Sequence, residues 1–591
     1  MNNQVHPDLV VARVVPDVTG LDRHFDYLVP PALRAKVSVG SLVRISLSGR
    51  RVGGWVASLG PPDPLFDIDR LLPIAKYTGC GPAESIFELA QWAGHRWAGR
   101  LRPFLVSASP PGAVTSLSAP SHGPPVPEPV NLDARQVLTS GGGLLRLSPS
   151  ADVVPAILAA CSLGPTIVVQ PSVVEARVLA AQLRRSGRTV ALLPHDWARA
   201  ASGVDVVIGA RAAIWGPCPG LSAVVVLDEH DEAMQEERQP TWHARDVAIE
   251  RARRAGVPCL LISPCPSLAA LDWAGSRFVK PSTVEERNSW PLVEIVDRSR
   301  DEPWQRSLVT SPLIRQLRDH SRTVVCVINV AGRARLLACR SCKALQRCEH
   351  CEAAVVQDER DVFHCQRCET DRPTVCQSCG ASAFAMLRKG VTRLREELEA
   401  AAGRPVVAVT ATGPDSDTRS ESVPEAGVYV GTEAVLHRAR RADTVVMLDF
   451  DDELLAPRYR ATEQAMTLLA RAARLAGGRA DGGRLMIQTF LPAHDVIDAV
   501  RHSDPGRLVT SELARRTLLG FPPAGALGML SGAGAADFAA VLPPELVRSA
   551  STLDGRVWLR SASWQQLGDA LAQTPRPKGS RIRIQIDPPR V

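Results

Sequence analysis

Lysine is almost absent from this chain of 591 residues. Only six of its 69 basic residues are lysines, at positions 36, 76, 280, 343, 389 and 578. Proteins that hold a nucleoside triphosphate in a phosphate loop use a lysine to contact the β- and γ-phosphates. Because no lysine lies between Lys76 and Lys280, a phosphate loop of that kind is excluded from residues 77–279.

The chain also lacks long apolar runs and any targeting signal at its start. No stretch reaches the ~18 apolar residues that a membrane helix needs, and the first eight residues, MNNQVHPD, show no basic-then-apolar leader. We therefore expect a cytoplasmic protein with reduced thiols and no membrane partner. The net charge of +7 and the isoelectric point of about 8.8 permit a nucleic-acid partner without requiring one.

Cysteine is the residue whose spacing is most specific. Eight of the 14 cysteines form four C-x-x-C pairs, Cys339/Cys342, Cys348/Cys351, Cys365/Cys368 and Cys376/Cys379. Two such pairs complete a tetrahedral Cys₄ shell around zinc, which leaves no coordination position open, so the pattern predicts two structural zinc ions per chain. Disulfides fit poorly because nothing marks the chain as secreted. An iron–sulfur cluster also takes four cysteines, and the spacing alone argues against it only weakly.

Four pairs can combine two by two in three ways. Joining neighbouring pairs leaves loops of only five and seven residues, whereas joining the inner two pairs encloses a longer segment with hairpin character. We therefore favour the nested arrangement. It assigns Cys339, Cys342, Cys376 and Cys379 to one zinc ion, and Cys348, Cys351, Cys365 and Cys368 to the other.

Hydrophobic periodicity predicts a multidomain α/β protein. Residues 10–59 alternate apolar and polar positions, which is typical of a small sheet or barrel. Two later regions have short, continuous β-branched strands between helical patterns, which indicates parallel sheets buried on both faces. The predicted segments are an N-terminal β-barrel-like domain (1–109), a Pro/Gly/Ser-rich linker (110–135), a first lobe (136–290), a second lobe (291–495) with a zinc module (339–380) inserted, and a small C-terminal α+β domain (496–591).

Two acidic residues, Asp228 and Glu229, follow an apolar strand of the first lobe. In open α/β sheets, ligands bind beyond the carboxyl ends of the strands. An Asp at such a position holds Mg²⁺ in many nucleoside triphosphatases, and the following Glu can orient the attacking water. Acidic residues also end buried strands in proteins with no such site, and the dipeptide alone leaves both interpretations open.

Five further motifs occur in order along the chain: LDRHFDYLVP at 21–30, IGARAAIWGP at 208–217, WHARDVA at 242–248, GTE at 431–433 and RYRATE at 458–463. Together with the four cysteine pairs, they resemble the motifs of the bacterial PriA family (primosomal protein N′), the replication-restart helicases of superfamily 2. The resemblance extends over nearly the whole chain. It implies two RecA-like lobes, paired zinc sites inserted in the second lobe, and the nested cysteine pairing.

The resemblance also implies a DNA-binding function. In this family the N-terminal domain grips the 3′ end of a nascent strand at a fork, and Phe25, Asp26 and Tyr27 would line that pocket. An aromatic face suits a terminal nucleotide, although aromatic residues also alternate along ordinary strands. The implied partners are forked or branched DNA, primosome and helicase-loading proteins, the replicative helicase, and single-strand DNA-binding protein. The family's winged helix is missing or reduced, because the linker is too short and too rich in proline.

The chain departs from the family pattern around the nucleotide site. In place of the glycine- and lysine-containing phosphate loop it has LLRLSPSADVV at 144–154, and in place of the arginine-finger motif it has ARAARLAGGR at 470–479, with the Gln absent and the Gly/Arg register disturbed. The acidic motif is one residue shorter. We therefore predict no catalytic residue, regard Asp228 and Glu229 as a vestigial Walker B motif, and doubt ATP and Mg²⁺ as cofactors.

Three hypotheses follow. The first is a non-catalytic protein that recognises stalled or abandoned replication forks and promotes primosome assembly and helicase loading. The second is an active ATP-dependent 3′→5′ helicase with unconventional nucleotide contacts. The third is a zinc module that senses oxidation through its thiolates. Closed Cys₄ sites are usually inert, although Arg340, Lys343 and Arg347 supply nearby positive charge.

Overall fold

The structure of the protein is a computed structural model. It describes residues 9–21, 23–62, 68–125, 131–301, 307–328, 337–342, 344–357, 361–386, 391–409, 427–550, 555–577 and 581–588. Within these ranges, no helix combines the length and the apolar character that crossing a bilayer requires.

The N-terminal domain is a five-stranded antiparallel sheet followed by two helices. Its elements are β1 (Val11–Pro16), β2 (Phe25–Leu28), β3 (Leu42–Leu47), β4 (Arg50–Gly60), β5 (Lys76–Gly79), α1 (Glu84–Arg96) and α2 (Leu101–Ala108), and the strand order is β2-β1-β4-β3-β5. In β3, Val43 and Ile45 point into a core shared with Tyr27, whereas Arg44 between them is exposed. This alternation is the period of two that the sequence predicted.

Lobe one contains a seven-stranded parallel sheet with the order β12-β6-β11-β10-β7-β9-β8. Its elements are α3 (Leu132–Thr139), β6 (Gly142–Arg146), α4 (Val154–Cys161), β7 (Thr166–Val169), α5 (Val173–Arg185), β8 (Val190–Leu192), α6 (Trp197–Ser202), β9 (Val206–Gly209), β10 (Ala223–Leu227), α7 (Ala244–Ala255), β11 (Cys259–Ser263), α8 (Leu268–Ala274), β12 (Phe278–Val279) and α9 (Thr283–Ser289). In β10, Val224 and Val226 enter one core while Val225 and Leu227 enter another. Both faces are therefore covered, which explains the continuous apolar strands.

Lobe two contains a six-stranded parallel sheet with the order β13-β23-β22-β14-β21-β20. Its elements, with those of the cysteine module, are β13 (Leu292–Asp297), α10 (Ser311–Leu317), β14 (Val324–Val327), β15 (Leu337–Cys339), β16 (Val356–Gln357), β17 (Val362–His364), β18 (Asp371–Pro373), β19 (Phe384–Met386), α11 (Val391–Ala402), β20 (Val406–Val409), β21 (Val428–Gly431), α12 (Ala434–Arg438), β22 (Thr444–Met447), α13 (Asp451–Leu454), α14 (Ala461–Ala476), β23 (Arg484–Thr489), α15 (Asp495–Arg501) and α16 (Val509–Leu519). Val325 and Val324 of β14 likewise enter different cores.

The cysteine module is inserted between β14 and α11 of lobe two. Its outer strands β15 and β19 pair with each other, and β16, β17 and β18 form a separate three-stranded antiparallel sheet. The antiparallel β16–β17 pair corresponds to the hairpin predicted between the inner cysteine pairs. The described part of the insertion therefore begins and ends on two strands that pair with each other.

A four-stranded antiparallel sheet with two helices forms the C-terminal part of the described chain. Its elements are β24 (Ala526–Ser531), α17 (Ala535–Val541), β25 (Val547–Ala550), β26 (Val557–Ser561), α18 (Trp564–Gln573) and β27 (Arg583–Ile586), in the order β25-β26-β24-β27. One hydrophobic cluster runs without interruption through Trp55, Val224 and Leu530. It joins the N-terminal domain, lobe one and the C-terminal sheet. The predicted fold class, two RecA-like lobes with an inserted cysteine module and two smaller domains, is confirmed.

Residues 110–125, which we call the strap, lie along lobe one and contain no helix or strand. Asp205, just before β9, accepts hydrogen bonds from the backbone N–H of Gly123 (2.9 Å) and of Thr189 (2.8 Å), and it contacts His122 Nδ1 at 3.2 Å. The hydroxyl of Thr189 donates to the carbonyl of Ser121 at 2.7 Å. Composition predicted a linker here, and these bonds show that its described part is held against the lobe.

We predict that Asp205→Ala loosens the strap. Removing the carboxylate leaves the half-buried backbone N–H groups of Gly123 and Thr189 without this acceptor, which should lower the free energy of unfolding by about 1 kcal/mol. It should also speed proteolytic cleavage within 110–125. Both effects can be measured by urea denaturation and limited proteolysis of the full chain.

The matched control is Asp272→Ala, because Asp272 is an exposed carboxylate on α8 of the same lobe. If both variants are cleaved in the strap at the same rate, Asp205 does not hold it.

Candidate functional site

The carboxyl end of β10 opens into a cleft between the lobes. Asp228, the first residue after the strand, has a φ of 49° and is buried. Arg474 of α14 reaches this carboxylate from lobe two: Nη1 donates to Oδ2 and Nη2 donates to Oδ1, each at 2.7 Å. Its Nε donates to the carbonyl of Pro149 at 2.8 Å. The predicted acid is therefore paired with an arginine that lies 246 residues further along the chain.

This contact determines the charge of Asp228. Burial by itself would raise the pKa of the carboxyl, but the Arg474 guanidinium outweighs burial and lowers the pKa to about 2. In Arg474, burial acts to lower the pKa, but the contact with Asp228 prevails and raises it. Both groups are charged at neutral pH, and both carboxylate oxygens already accept a hydrogen bond. A bidentate guanidinium thus satisfies the carboxylate on which a Mg²⁺ site would depend.

Glu229 is fully buried, and its oxygens are also occupied. It accepts hydrogen bonds from the backbone N–H of Ser267 (2.8 Å) and from the Ser267 hydroxyl (2.7 Å), and Arg245 Nη1 lies 3.3 Å away. Ser267 in turn caps the N-terminus of α8. Glu229 therefore stabilises the start of α8, and both of its oxygens already accept hydrogen bonds from protein groups.

A second arginine of α14 faces lobe one. Arg471 pairs with Asp231 (Nη2–Oδ2, 2.5 Å) and with Glu433. The sequence predicts only a disturbed arginine motif at 470–479, and it does not predict that Arg471 and Arg474 face lobe one. Because residues three apart share a helix face, the spacing of Arg471 and Arg474 was a signal that could have revealed it.

The turn between β6 and α4, where a phosphate loop would lie, offers no cradle for phosphate. Residues 144–154 contain no glycine. Asp152 Oδ1 accepts from the backbone N–H of Val154 at 3.0 Å, so a carboxylate stands at the start of α4, where a phosphate would need free N–H groups. The hydroxyls of Ser289 and Ser148 lie 2.5 Å apart and tie the turn to α9.

The eight paired cysteines gather into two groups of four. Cluster 1 contains Cys339, Cys342, Cys376 and Cys379, and cluster 2 contains Cys348, Cys351, Cys365 and Cys368; within each group the sulfurs lie within 4.8 Å of one another. These are the groups that the nested pairing predicted. The structure thus brings cysteines from the two ends of the module together in cluster 1.

The sulfur separations fit a tetrahedral metal shell. Cys339–Cys379 and Cys342–Cys376 are 3.6 and 3.4 Å apart, and the two corresponding distances in cluster 2 are both 3.5 Å. A zinc–sulfur bond of about 2.3 Å implies sulfur edges of about 3.8 Å, whereas a disulfide needs about 2.05 Å. Four thiolates in each group would complete the zinc shell and leave no open position for catalysis.

The two clusters differ in their surroundings. In cluster 1, Cys342 and Cys379 are exposed, whereas in cluster 2 only Cys368 is not fully buried. Arg367, also buried, donates to the carbonyls of Cys351 (3.2 Å) and Tyr459 (3.3 Å) and so connects cluster 2 to lobe two. Cluster 2 is therefore the attachment of the module, and cluster 1 is its solvent-facing part. Lys343, one of the cations behind the redox hypothesis, lies outside the described residues.

The three residues predicted to bind a DNA 3′ end occupy different environments on β2. Tyr27 is 3% exposed, and its hydroxyl donates to the carbonyl of Ser46 at 2.8 Å. Its ring therefore packs in the domain core and is not available to a nucleotide, which corrects that part of the prediction. Asp26 is paired with Arg13 at 3.2 Å, and Phe25 is half-buried. Phe25 and Asp26 remain predicted contacts.

Exposed basic residues lie on one face of the N-terminal sheet. Arg44 lies opposite Lys76 of β5, and Ser46, two residues further on β3, lies opposite Arg51. Opposite residues share a sheet face, and so do residues two apart. Arg44, Arg51 and Lys76 are exposed on that face. The strand register therefore gathers cations that are scattered along the sequence.

Comparison with known proteins finds similarity to one group of relatives. Residues 13–110 match the family model described as the 3′DNA-binding domain (3′BD) of PriA. The replication restart protein PriA of Bacillus subtilis is 26% identical over 344 residues, which are 54% of this chain and 42% of that protein. For the Synechocystis protein of the same name the identity is 28% over 366 residues, 55% of this chain and 43% of the relative. The chain thus spans about half the length of the curated relatives it matches.

Solved structures show only a distant likeness. The Escherichia coli DEAH/RHA helicase HrpB matches with a TM-score of 0.32 at 14% identity. The match covers 60% of this chain and 41% of the HrpB chain. RecG bound to a three-way DNA junction matches with a TM-score of 0.36 at 12% identity. The match covers 66% of this chain and 47% of the RecG chain.

The strand orders and the inserted cysteine clusters define a protein of two parallel-sheet lobes with an N-terminal antiparallel domain. Within that class, the chain is a divergent relative of the PriA replication restart proteins. The family resemblance that the motifs indicated is confirmed.

We predict two zinc ions per chain, which metal analysis of the purified protein can measure. Cys351→Ser should remove one ion and lower Tm by roughly 5 °C or more, because cluster 2 attaches the module to lobe two. Cys379→Ser should remove the other ion with a smaller change in Tm, because Cys379 is exposed and two of the four cysteines of cluster 1 face solvent.

Cys218→Ser serves as the control, since Cys218 is half-buried and belongs to neither cluster. Another zinc stoichiometry in the unsubstituted chain, or an iron chromophore in the visible spectrum, would contradict the assignment.

Proposed function

We propose that this protein recognises stalled or abandoned DNA replication forks and promotes primosome assembly and helicase loading without ATP-driven unwinding of its own. The observation that carries the proposal is the occupied cleft: Arg474 takes both oxygens of Asp228. The match of residues 13–110 to a 3′ DNA-binding domain supports the DNA-binding part.

Several groups that ATP hydrolysis requires are missing or already bound to other protein groups. No lysine lies between Lys76 and Lys280 to neutralise the β- and γ-phosphates. Asp228 and Glu229 already bind protein groups, so neither is free for a metal or a water. Each such group contributes orders of magnitude to phosphoryl transfer, and an arginine finger alone is worth about 10³-fold or more. Losing several together leaves no ATPase of useful rate.

The alternative is an active ATP-dependent 3′→5′ helicase with unconventional nucleotide contacts. One observation favours it: Arg471 and Arg474 reach across the cleft from lobe two. Arginines supplied in this way stabilise the charge of a transferring phosphoryl group in nucleotide hydrolases. For these arginines to act so, ATP would first have to displace them from Asp231 and Asp228.

The DNA-binding proposal rests on the N-terminal sheet. Phe25 offers part of a ring for base stacking, Asp26 offers an acceptor for a terminal hydroxyl, and Arg44, Arg51 and Lys76 form an exposed cationic face for phosphates. Because this domain shares a core with lobe one, the bound end would be held in a fixed position relative to the lobes. The relatives' name, replication restart protein, supports a role in the restart of replication, and we propose that this role is carried out in the cytoplasm.

The proposed partners are forked or branched DNA, primosome and helicase-loading proteins, the replicative helicase and single-strand DNA-binding protein. The solvent-facing cluster 1 and its exposed cysteines place one end of the module away from lobe two. We propose that the module presents this end to protein partners, with zinc keeping its shape.

We predict that the purified protein hydrolyses ATP no faster than its Asp228→Asn variant, with or without forked DNA. The reason is that Asp228 contributes no metal site in the native protein. A steady-state phosphate-release assay measures this, and fork binding by the same samples shows that the protein is folded. Turnover that forked DNA stimulates and Asp228→Asn abolishes would establish the helicase alternative.

We predict that Phe25→Ala combined with Asp26→Ala weakens binding to forks with a free 3′-hydroxyl by roughly tenfold, the scale of one lost stacking contact. Binding to forks with a 3′-phosphate should change little. Fluorescence anisotropy at a stated salt concentration measures both.

Tyr27→Phe is the matched control on the same strand, because it keeps the buried ring and removes only the hydroxyl. It should leave fork binding unchanged. Equal losses of the double variant on free and blocked ends would mean that this domain recognises some other feature of the fork.

A further inference from the structure

The contacts that bridge the cleft are polar and come from several elements of each lobe. The α14 residues Arg471, Arg474 and Glu463 reach Asp231, Asp228 and the backbone N–H of Leu268, the last at 2.7 Å. A further pair joins Arg146 at the end of β6 to Asp504 after α15, at 3.0 Å. Each contact joins an element of lobe one to an element that packs with lobe two.

Helix α14 presents its arginines from a rigid support. Ala465, Leu469 and Ala472 of this helix are buried in the core of lobe two, so the helix cannot turn without disrupting that core. Arg471 and Arg474 lie three residues apart on the opposite face. Their guanidinium groups are therefore aimed at lobe one before any ligand arrives.

We propose that Asp228, Asp231, Arg471 and Arg474 form a clasp that holds the two lobes closed with no nucleotide between them. The Arg474 guanidinium supplies, from within the chain, the positive charge at Asp228 that a bound cation would otherwise bring. This inference concerns the relation between the lobes. It rests on the ion pairs and not on the proposed fork binding.

The contact made by Arg474 differs from the contact made by a bound nucleotide in how long it persists. A nucleotide and its metal ion leave after each cycle, so the lobes of a motor open and close. Arg474 is covalently attached, and its high effective concentration at Asp228 keeps the contact formed. Because the Arg474 side chain is 39% exposed, solvent weakens this single pair. The clasp therefore depends on both arginines together.

The closed state can be tested by hydrogen exchange in the full-length protein. Arg474→Ala should raise amide exchange at least tenfold in 147–153 and 228–234, the two segments that meet at Arg474. Arg471→Ala combined with Arg474→Ala should raise it further. The exchanged-charge variant, Asp228→Arg with Arg474→Asp, should recover at least half of the lost protection, which loss of packing alone would not allow.

Arg479→Ala is the matched control, because Arg479 is an exposed arginine just beyond α14. The clasp is overturned if the amides of the cleft exchange at the same rate in Arg474→Ala as in this control. It is also overturned if the double variant Asp228→Ala/Arg474→Ala raises the exchange rate by the product of the two single effects, as independent changes would. Exchange in β1 and β4 reports global unfolding. If Arg474→Ala unfolds the chain, Arg474→Lys replaces it: a threefold rise in the cleft supports the clasp, and no rise overturns it.

If Arg474→Ala binds forks as the unsubstituted protein does but exchanges faster in the cleft, the clasp is supported independently of the proposed function. Loss of fork binding without any change in exchange would count against the clasp and leave the proposed function to its own tests.

Discussion

The parallel sheet of lobe one must be buried on both faces, because its strands are apolar throughout. One face packs against α3, α4 and α5, and the other shares a continuous core with the N-terminal domain and the C-terminal sheet. That shared core fixes the N-terminal domain to lobe one, and the strap is hydrogen-bonded to the same lobe. With both faces covered, the carboxyl ends of the strands are left as the open edge, and Asp228 lies there.

At that edge, the guanidinium of Arg474 binds both carboxylate oxygens of Asp228. A guanidinium cannot replace the phosphate-loop lysine well, because it is broad and planar, but the same shape matches a carboxylate with two parallel hydrogen bonds. The low lysine content and the pairing of Asp228 with Arg474 therefore agree, because arginine suits a carboxylate better than it suits a phosphate loop. At the lobe interface, the α14 residues Arg474 and Arg471 neutralise the acidic side chains of Asp228 and Asp231.

The cysteine module follows a different principle, since its small strands bury little apolar surface and need cross-links. Cluster 2 sits at the attachment to lobe two, where Arg367 links its backbone to Tyr459, and cluster 1 holds the two ends of the insertion together. Nesting one cluster inside the other gives the module a fixed base and an exposed end. This division anchors one end of the module on lobe two and leaves cysteines of the other end exposed to solvent.

Local patterns along the sequence determined the cysteine grouping, the two parallel sheets and the antiparallel N-terminal domain, and the sequence has no lysine in residues 77–279. Each of these depends on spacing over a few residues or on a residue that is missing altogether, so it can be recognised without a fold. Only the tertiary structure decided that Asp228 is bound by Arg474, that Tyr27 packs inwards and that the proline-rich strap is hydrogen-bonded to Asp205. These contacts join residues far apart in the chain, and their partners are set by how the sheets pack, which short-range periodicity does not encode.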